Sequence, residues 1–598
     1  MREFFKMFFA SMLAMVVTGI IGGIIVVAII AGTVASFSKM ITDKDNRGAG
    51  GNVLVVDLSK KIHELGQSNS FAILSNTSSY EAGLYDILRS VQRAKTDSNI
   101  KGILLKLNAT PNGWATMQQL RMSLVDFKNS GKFIYAYGED ITQGAYYAGT
   151  AADSIYLNPA GNLELKGFAT VMPYFKGALA KLELEPEIFY AGKFKSATEP
   201  FRADKISEPN RLQIMAFQNG MWNEFLDAVS QYTHADKATI NDWAVKGTIQ
   251  FPGDAVNAHM VAGLRYWDEV ENRIRVKTKQ PGGEDIKYIS ISDYAAGNKT
   301  DDKVSDQEIA VIFAEGDIID GKQNNDLEIA SKNLSEEIRK VAKDDKIKAV
   351  VLRVNSPGGS ALASEVILRE LMLLKQKKHL IVSMGDYAAS GGYYISSYAD
   401  SIFALPNTIT GSIGVFSMMF NIDKLMKNKL GITFDEVKNA PYADIPTSSR
   451  PLTPQEAQRM QNSVDTIYSL FKSHVAQGRK LKPADVDSIA QGRVWTGTDA
   501  LKIGLVDELG GLGRAIHSAA TMAKVTDYKV VTYPETTDKF SMLMRKLGNN
   551  TRAATNTAVT NAMKEQLGAG YEWYEKLQGL LKMNGKVMMT MPFVPVVK

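Results

Sequence analysis

The sequence predicts an α/β fold used twice in one chain. Short Val/Leu/Ile-rich runs alternate with amphipathic ones, the pattern of strands and helices in a largely parallel sheet. A single register of 247 positions lays KGILLKLNATPNGWA (101–115) on KAVVLRVNSPGGSAL (348–362), and residues 139–159 on 386–406. Chance similarity rarely keeps one register over some fifty residues, so the repeat reads as an internal duplication. At 598 residues, with 45% hydrophobic and 22% charged residues, the chain has material for two or three ordinary cores.

Composition excludes several chemistries. There is no cysteine, which removes disulfides, a thiol nucleophile and thiolate metal sites. The six histidines show no metal-ligand spacing. A net charge of +5 over this length gives no argument for nucleic acid. No cofactor or metal is expected.

Taken in order, the chain opens with residues 7–38, which carry no charge. About 20 apolar residues cross a bilayer, and a signal peptide's apolar core is much shorter, so this reads as an uncleaved transmembrane anchor. Flanking charges leave its orientation open. Residues 42–51 read as a polar linker. The first copy starts with the strand at 53–56, followed by another at 103–107. Residues 277–305 are polar and read as a connection. The second copy starts at 309–313 and continues with a strand at 350–354. Its helix places Ala363, Ile367, Leu371 and Leu374 on one face. A buried strand at 380–384 then leads to Ser390, Gly391 and Gly392, with helix to follow at 393–398. Val464, Ile467, Leu470 and Phe471 mark a later helix within 451–491. Residues 493–511 close the copy, with a first-copy counterpart at 252–270 and a helix at 512–523. Residues 539–581 read as helical. Residues 588–597 are apolar with two prolines; the tail reads as a docking arm or a helix packed on the body, with a membrane-surface or substrate-guarding role as the alternative. The expected domains are 1–47 (anchor and linker), 48–305, 306–535 and 536–598 (helical tail).

The copies differ where chemistry belongs. Ser390 stands opposite Gln143, and SPGG (356–359) stands opposite Ala109, Thr110, Pro111 and Asn112. Downstream, Lys195 stands opposite Tyr442. The copy without the serine keeps a lysine, and the copy with the serine lacks one. One site assembled from both halves explains that pattern. A serine at a strand-to-helix turn has free N–H groups beside it, and Gly358 and Gly359 expose backbone N–H groups as an oxyanion hole needs. The same serine also reads as an ordinary helix cap. A desolvated, neutral lysine serves as general base for a serine. Lys193, two residues away, is the rival for that role, and Phe194, Ala197 and Phe201 offer apolar walls.

These features resemble the signal peptide peptidase A, or protease IV, family in its long, duplicated form. The resemblance rests on the anchor, GKFKSATEPF (192–201), NSPGGS, DYAASGGYY, TGSIGV (410–415) and GRVWTGTDALKIGLVDELGG (492–511). It implies a ClpP/crotonase-like superhelix used twice. It implies a serine endopeptidase with Ser390 as nucleophile, Lys195 as base, and Ser412 orienting the lysine. Oxyanion N–H groups would lie near Gly359 and Gly391, with the choice between Gly358 and Gly359 open. It further implies apolar peptide substrates, chiefly cleaved signal peptides, and a homotetramer. The catalytic body would stand on the periplasmic side of a bacterial inner membrane. Three alternatives stand beside this reading: an inactive membrane-anchored scaffold of the same fold, acyl-CoA chemistry of the crotonase kind, and a Ser–His–Asp hydrolase.

Overall fold

The computed structural model describes residues 52–68, 80–279, 285–298, 305–323, 327–534 and 585–591. The expected anchor, the polar linker and the expected helix at 539–581 lie outside them. Among the described residues no helix is long and apolar enough to cross a membrane.

Each half builds a largely parallel sheet; in the second, edge strand Val494–Thr496 runs antiparallel to its neighbour, and Ser401–Ala404 and Glu508–Leu509 join off the main path. In the first, the strand order is Gly263–Leu264, Ser154–Leu163, Phe133–Ile141, Gly102–Lys106, Val53–Asp57 and Tyr288–Ser290. In the second it is Val494–Thr496, Ile409–Gly411, His379–Ala389, Ile347–Ser356, Glu308–Glu315 and Lys529–Tyr533. Helices cover the sheets, which is why the central strands read as continuous apolar runs rather than alternating ones. Ile309 to Ala314, for instance, are all buried.

The duplication runs further than the sequence comparison showed. Helices Trp114–Lys128 and Ala361–Lys375 begin and end in the same 247-residue register. The long helices Glu208–Thr233 and Pro454–Arg479, 26 residues each, are only one residue out of it. Helices Pro252–Asn257 and Gly497–Lys502 confirm the expected counterpart segments. Two expectations are corrected. The stretch 277–305 is not only a connection, because Tyr288–Ser290 completes the first sheet and helix Ile291–Gly297 buries Ile291 and Tyr294. Helix Pro454–Arg479 buries Val464, Tyr468, Phe471 and Val475, whereas Leu470 stays 40% exposed; the apolar face falls one step round the helix from the expected one.

A third sheet draws on both halves. Its order is Glu328–Ala330, Asp317–Ile319, Gly358–Ser360, Val587–Thr590, Val415–Asn421 and Glu185–Ala191. The last pairing is antiparallel, from Val415 opposite Ala191 to Asn421 opposite Glu185. A strand of the first half is thereby carried onto the second, and Lys195 follows it four residues later.

Candidate active site

Ser390 ends strand His379–Ala389 and precedes helix Gly391–Ser396. Its backbone sits at φ 56°, ψ −114°, a region that costs on the order of 1–3 kcal/mol for a residue with a Cβ. Two bonds hold it there: its N–H donates to the Gly411 carbonyl at 2.8 Å, and its own carbonyl accepts from the Tyr394 N–H at 2.8 Å. The hydroxyl does not cap the helix. The strained turn aims it elsewhere, in the manner of a nucleophile elbow, and the helix-cap reading fails. Gly391 opens the helix, where an N–H has no intrahelical acceptor.

Lys195 arrives on a loop that the second half holds in place. Gly192 takes φ +104° to let the loop turn. The Phe194 N–H donates to the Gln491 carbonyl at 2.8 Å. Gly492 packs so closely that a Cβ there would stand 2.7 Å from the Cβ of Lys195. The Arg493 guanidinium lies over the rings of Phe194 (5.2 Å) and Trp495 (4.1 Å). The GRVW stretch is therefore the seat of the lysine loop. Gln213, on the long helix Glu208–Thr233, adds a clamp. Its Nε2 donates to the Phe194 carbonyl and to Ser196 Oγ, each at 3.1 Å, while its Oε1 accepts from the Val494 N–H at 3.2 Å. Sequence reading missed Gln213; its only signal was an amide on the buried face of a helix.

The Lys195 Nζ lies 2.8 Å from Ser390 Oγ, 3.1 Å from Ser412 Oγ and 3.3 Å from the Ser412 carbonyl. Both Lys195 and Ser390 are buried. Burial alone drives the amine well below its ordinary value, since desolvation disfavours the ammonium. A neutral amine has two N–H groups and one lone pair. In that form Ser412 would accept the two, through its hydroxyl and its carbonyl, and the lone pair would be left for the Ser390 O–H. Ser412 is itself fixed: its N–H donates to the Arg493 carbonyl at 2.7 Å, and its hydroxyl reaches the Gly492 carbonyl at 3.4 Å. Lys193, the rival lysine, is instead exposed, with its amine 5.3 Å from the Phe194 ring centre.

Gly358 takes φ +104°, and a Cβ there would lie 2.7 Å from the Gly391 nitrogen. The two backbones thus meet beside Ser390. The Gly358 N–H donates to Ser356 Oγ at 3.1 Å. Gly359 follows in strand Gly358–Ser360 and pairs with Met589 of the neighbouring strand, while Gly391 opens the helix on the other side of the contact.

The equivalent places in the first half are filled. Gln143 Oε1 accepts from the Lys166 and Gly167 N–H groups at 2.7 and 3.0 Å, and its Nε2 donates to the Gly167 carbonyl at 3.0 Å. Asn112 Oδ1 accepts from the Ile62 N–H at 2.7 Å, at the position where the other copy has Gly359. Tyr442, opposite Lys195, is 40% exposed under the Arg459 guanidinium. Among the described residues one such site remains, and both halves contribute to it.

Comparison with known proteins agrees. The profile of peptidase family S49 matches the chain twice, at residues 126–280 and 372–526. Protease 4 of Salmonella typhi is 36% identical over 520 residues, covering 85% of this chain and 83% of its own. The chloroplastic serine protease SPPA of Arabidopsis thaliana is 33% identical over 74% of this chain and 66% of its own. A putative signal peptide peptidase SppA of Enterococcus faecium is 33% identical over 41% of this chain and 70% of its own. With two copies of the family's domain and relatives alike along most of its length, the chain belongs to peptidase family S49 and is a serine peptidase.

Proposed function

We propose that the chain is a membrane-anchored endopeptidase in which Lys195 of the first half is the general base for Ser390 of the second. The observation that carries this reading is the 2.8 Å contact between a buried hydroxyl and a buried amine whose desolvation favours its neutral form. Neutral Lys195 takes the Ser390 proton as the oxygen attacks a peptide carbonyl. The N–H groups of Gly359 and Gly391 hold the oxyanion. The Lys195 ammonium, held by Ser412, then gives its proton to the leaving amine. Water attacks the acyl-enzyme with the same amine as base, and Ser390 is restored. No step calls for a cofactor.

The substrates are extended apolar peptides, cleaved signal peptides first among them. The apolar cluster of Ala197, Phe201, Phe416 and Met418 beside the lysine loop supports this, as does the name of the Enterococcus relative. The uncharged segment 7–38 supports the anchor. The catalytic body then faces the periplasm from the bacterial inner membrane, where spent signal peptides reside. The two units are of the ClpP/crotonase type, and the assembly is a homotetramer. Exposed Leu430, Ile432, Phe434 and Val437 offer apolar surface for the subunit contacts. In the test, the full chain in detergent micelles is given a synthetic signal peptide and a polar peptide of equal length. We expect cleavage inside the apolar run of the former at a kcat/KM at least about 10-fold above that of the latter, as pocket burial of a few methylenes supplies. Equal turnover of the two would contradict the assignment of substrate.

A further inference from the structure

The long helix Glu208–Thr233 meets the lysine loop at more than Gln213. Its N-cap Ser207, then Asn210 and Gln213, recur at every third residue and so lie along one face. Two of them reach Glu199, which follows Lys195 by four positions. The Ser207 hydroxyl donates to Glu199 Oε1, while the Ser207 N–H and Asn210 Nδ2 donate to Oε2 at 3.4 and 2.9 Å. Glu199 is 2% exposed, and its bonds among the described residues all come from neutral donors. Desolvating a carboxylate against neutral donors alone is costly, and the dyad mechanism gives Glu199 no proton to move.

The bonds have one direction. The two ends of an amide have nearly the same shape, so neighbours decide which way each faces. At one end the Val494 N–H needs an acceptor and takes Gln213 Oε1. That turns Gln213 Nε2 to the Phe194 carbonyl, to Ser196 Oγ and to Asn210 Oδ1, the last at 2.9 Å. Asn210 Nδ2 is thereby turned to Glu199. At the other end an ionised carboxylate can only accept. Both ends therefore demand the same polarity from the two amides between them.

The other copy shows the helix start without this network. Helix Pro454–Arg479 opens with Thr453 as N-cap and with Glu456, which accepts from the Thr453 N–H at 2.8 Å in a capping box. With the two helices laid start on start, Asn210 stands where Glu456 does and Gln213 where Arg459 does. The Arg459 guanidinium lies 4.3 Å over the ring of Tyr442, the residue opposite Lys195. One helical position thus holds the same loop in both copies. The copy that keeps the lysine has a line of amides in place of the capping box.

We propose that Glu199 is a positioning residue for Lys195: it fixes the polarity of Asn210 and Gln213, and through them holds the lysine loop against the second half at the reach Ser390 needs. The proposal rests on the Ser390–Lys195 reading. Charge-assisted hydrogen bonds are roughly twice as strong as neutral ones, so a carboxylate holds Ser207 and Asn210 more firmly than an amide does.

The test is steady-state peptide hydrolysis by two variants of the full chain. Glu199→Gln keeps the volume and removes the charge. Gln213→Glu sets a carboxylate oxygen against the Phe194 carbonyl. Thr453→Ala, which removes the cap of the counterpart helix, is the control for a loss of stability alone. We expect each of the first two to lower kcat by about 10-fold with KM within about twofold, as misplaced reacting groups in a site that still binds substrate require. A loosened loop admits water to the amine, so the midpoint of kcat/KM against pH should move up toward 10.5. Thr453→Ala should melt at a lower temperature with kcat and midpoint unchanged. Parent-like kcat and midpoint in either Glu199→Gln or Gln213→Glu would overturn the proposal while leaving the dyad standing. So would an equal loss of kcat in Thr453→Ala, or a loss confined to KM, since either makes the network merely structural. Full activity in Lys195→Met would remove the dyad reading and the positioning role with it.

Discussion

Ser390→Ala and Lys195→Met each lower kcat for peptide hydrolysis by at least about 10³-fold, and the double variant loses little more than either single one. The residues act as one unit: without the amine the hydroxyl keeps its proton, and without the hydroxyl the amine has nothing to activate. The lysine variant has a second expected effect. In the folded chain burial holds the amine below its ordinary value of 10.5, while the unfolded chain returns it there. Below the folded value both states bind the proton, and folding must bury a charge. Between the folded value and 10.5 the unfolded state binds more protons, so stability rises with pH; above 10.5 the penalty is gone. Met carries no charge and fills a similar volume. Lys195→Met should therefore melt at a higher temperature than the parent at neutral pH, with the difference closing as pH approaches 10.5. A variant that is inactive but no more stable would mean the amine is solvated, and one that stays active would remove it from the reaction.

Arg353→Met destabilises the chain by about 3–5 kcal/mol, the cost of leaving a buried charge without its partner. Arg353 is 0% exposed in the strand that leads to SPGG. Its Nε and Nη2 donate to the two oxygens of Glu64 at 2.8 and 3.1 Å, and its Nη1 donates to Ser383 Oγ and the Met384 carbonyl at 2.9 and 2.7 Å. Glu64 belongs to the first half and Arg353 to the second, so this pair lies on the seam that the active site spans. Burial pushes the Glu64 carboxyl up, and the guanidinium only partly draws it back. A second contact crosses the same seam: the Thr116 N–H and hydroxyl donate to Asp386 at 2.8 and 2.6 Å, at the end of the strand that carries Ser390. Urea unfolding measures the loss. Arg353→Met combined with Glu64→Leu should recover most of it, because apolar groups of similar volume replace a buried pair at little cost. A single-variant loss under about 1 kcal/mol would show the pair to be reached by water.

The parallel strands, the serine turn and the split of chemistry between copies were legible because each left a local trace. Apolar runs, a pair of glycines and a missing residue at a fixed offset survive in one dimension. The left-handed backbone of Ser390 was not legible, since it is imposed by Gly411 and Tyr394 from outside the turn. The roles of Gly492 and Gln213 were hidden for a similar reason: a close approach and an amide clamp depend on which loop arrives, not on any spacing. The stretch 277–305 misled because polar residues flank a three-residue strand too short to show a period. The mixed sheet escaped entirely. Strands Glu185–Ala191 and Val587–Thr590 pair with segments more than 150 residues away, and pairing partners leave no mark on composition.

An uncharged amine at Lys195 is what activates Ser390 in the proposed reaction, and the pH dependence of kcat/KM for an apolar peptide tests it most directly. Activity should climb along one ionisation centred well below 10.5 and then level off. A midpoint at the ordinary lysine value, or a rate indifferent to pH below it, would contradict the account.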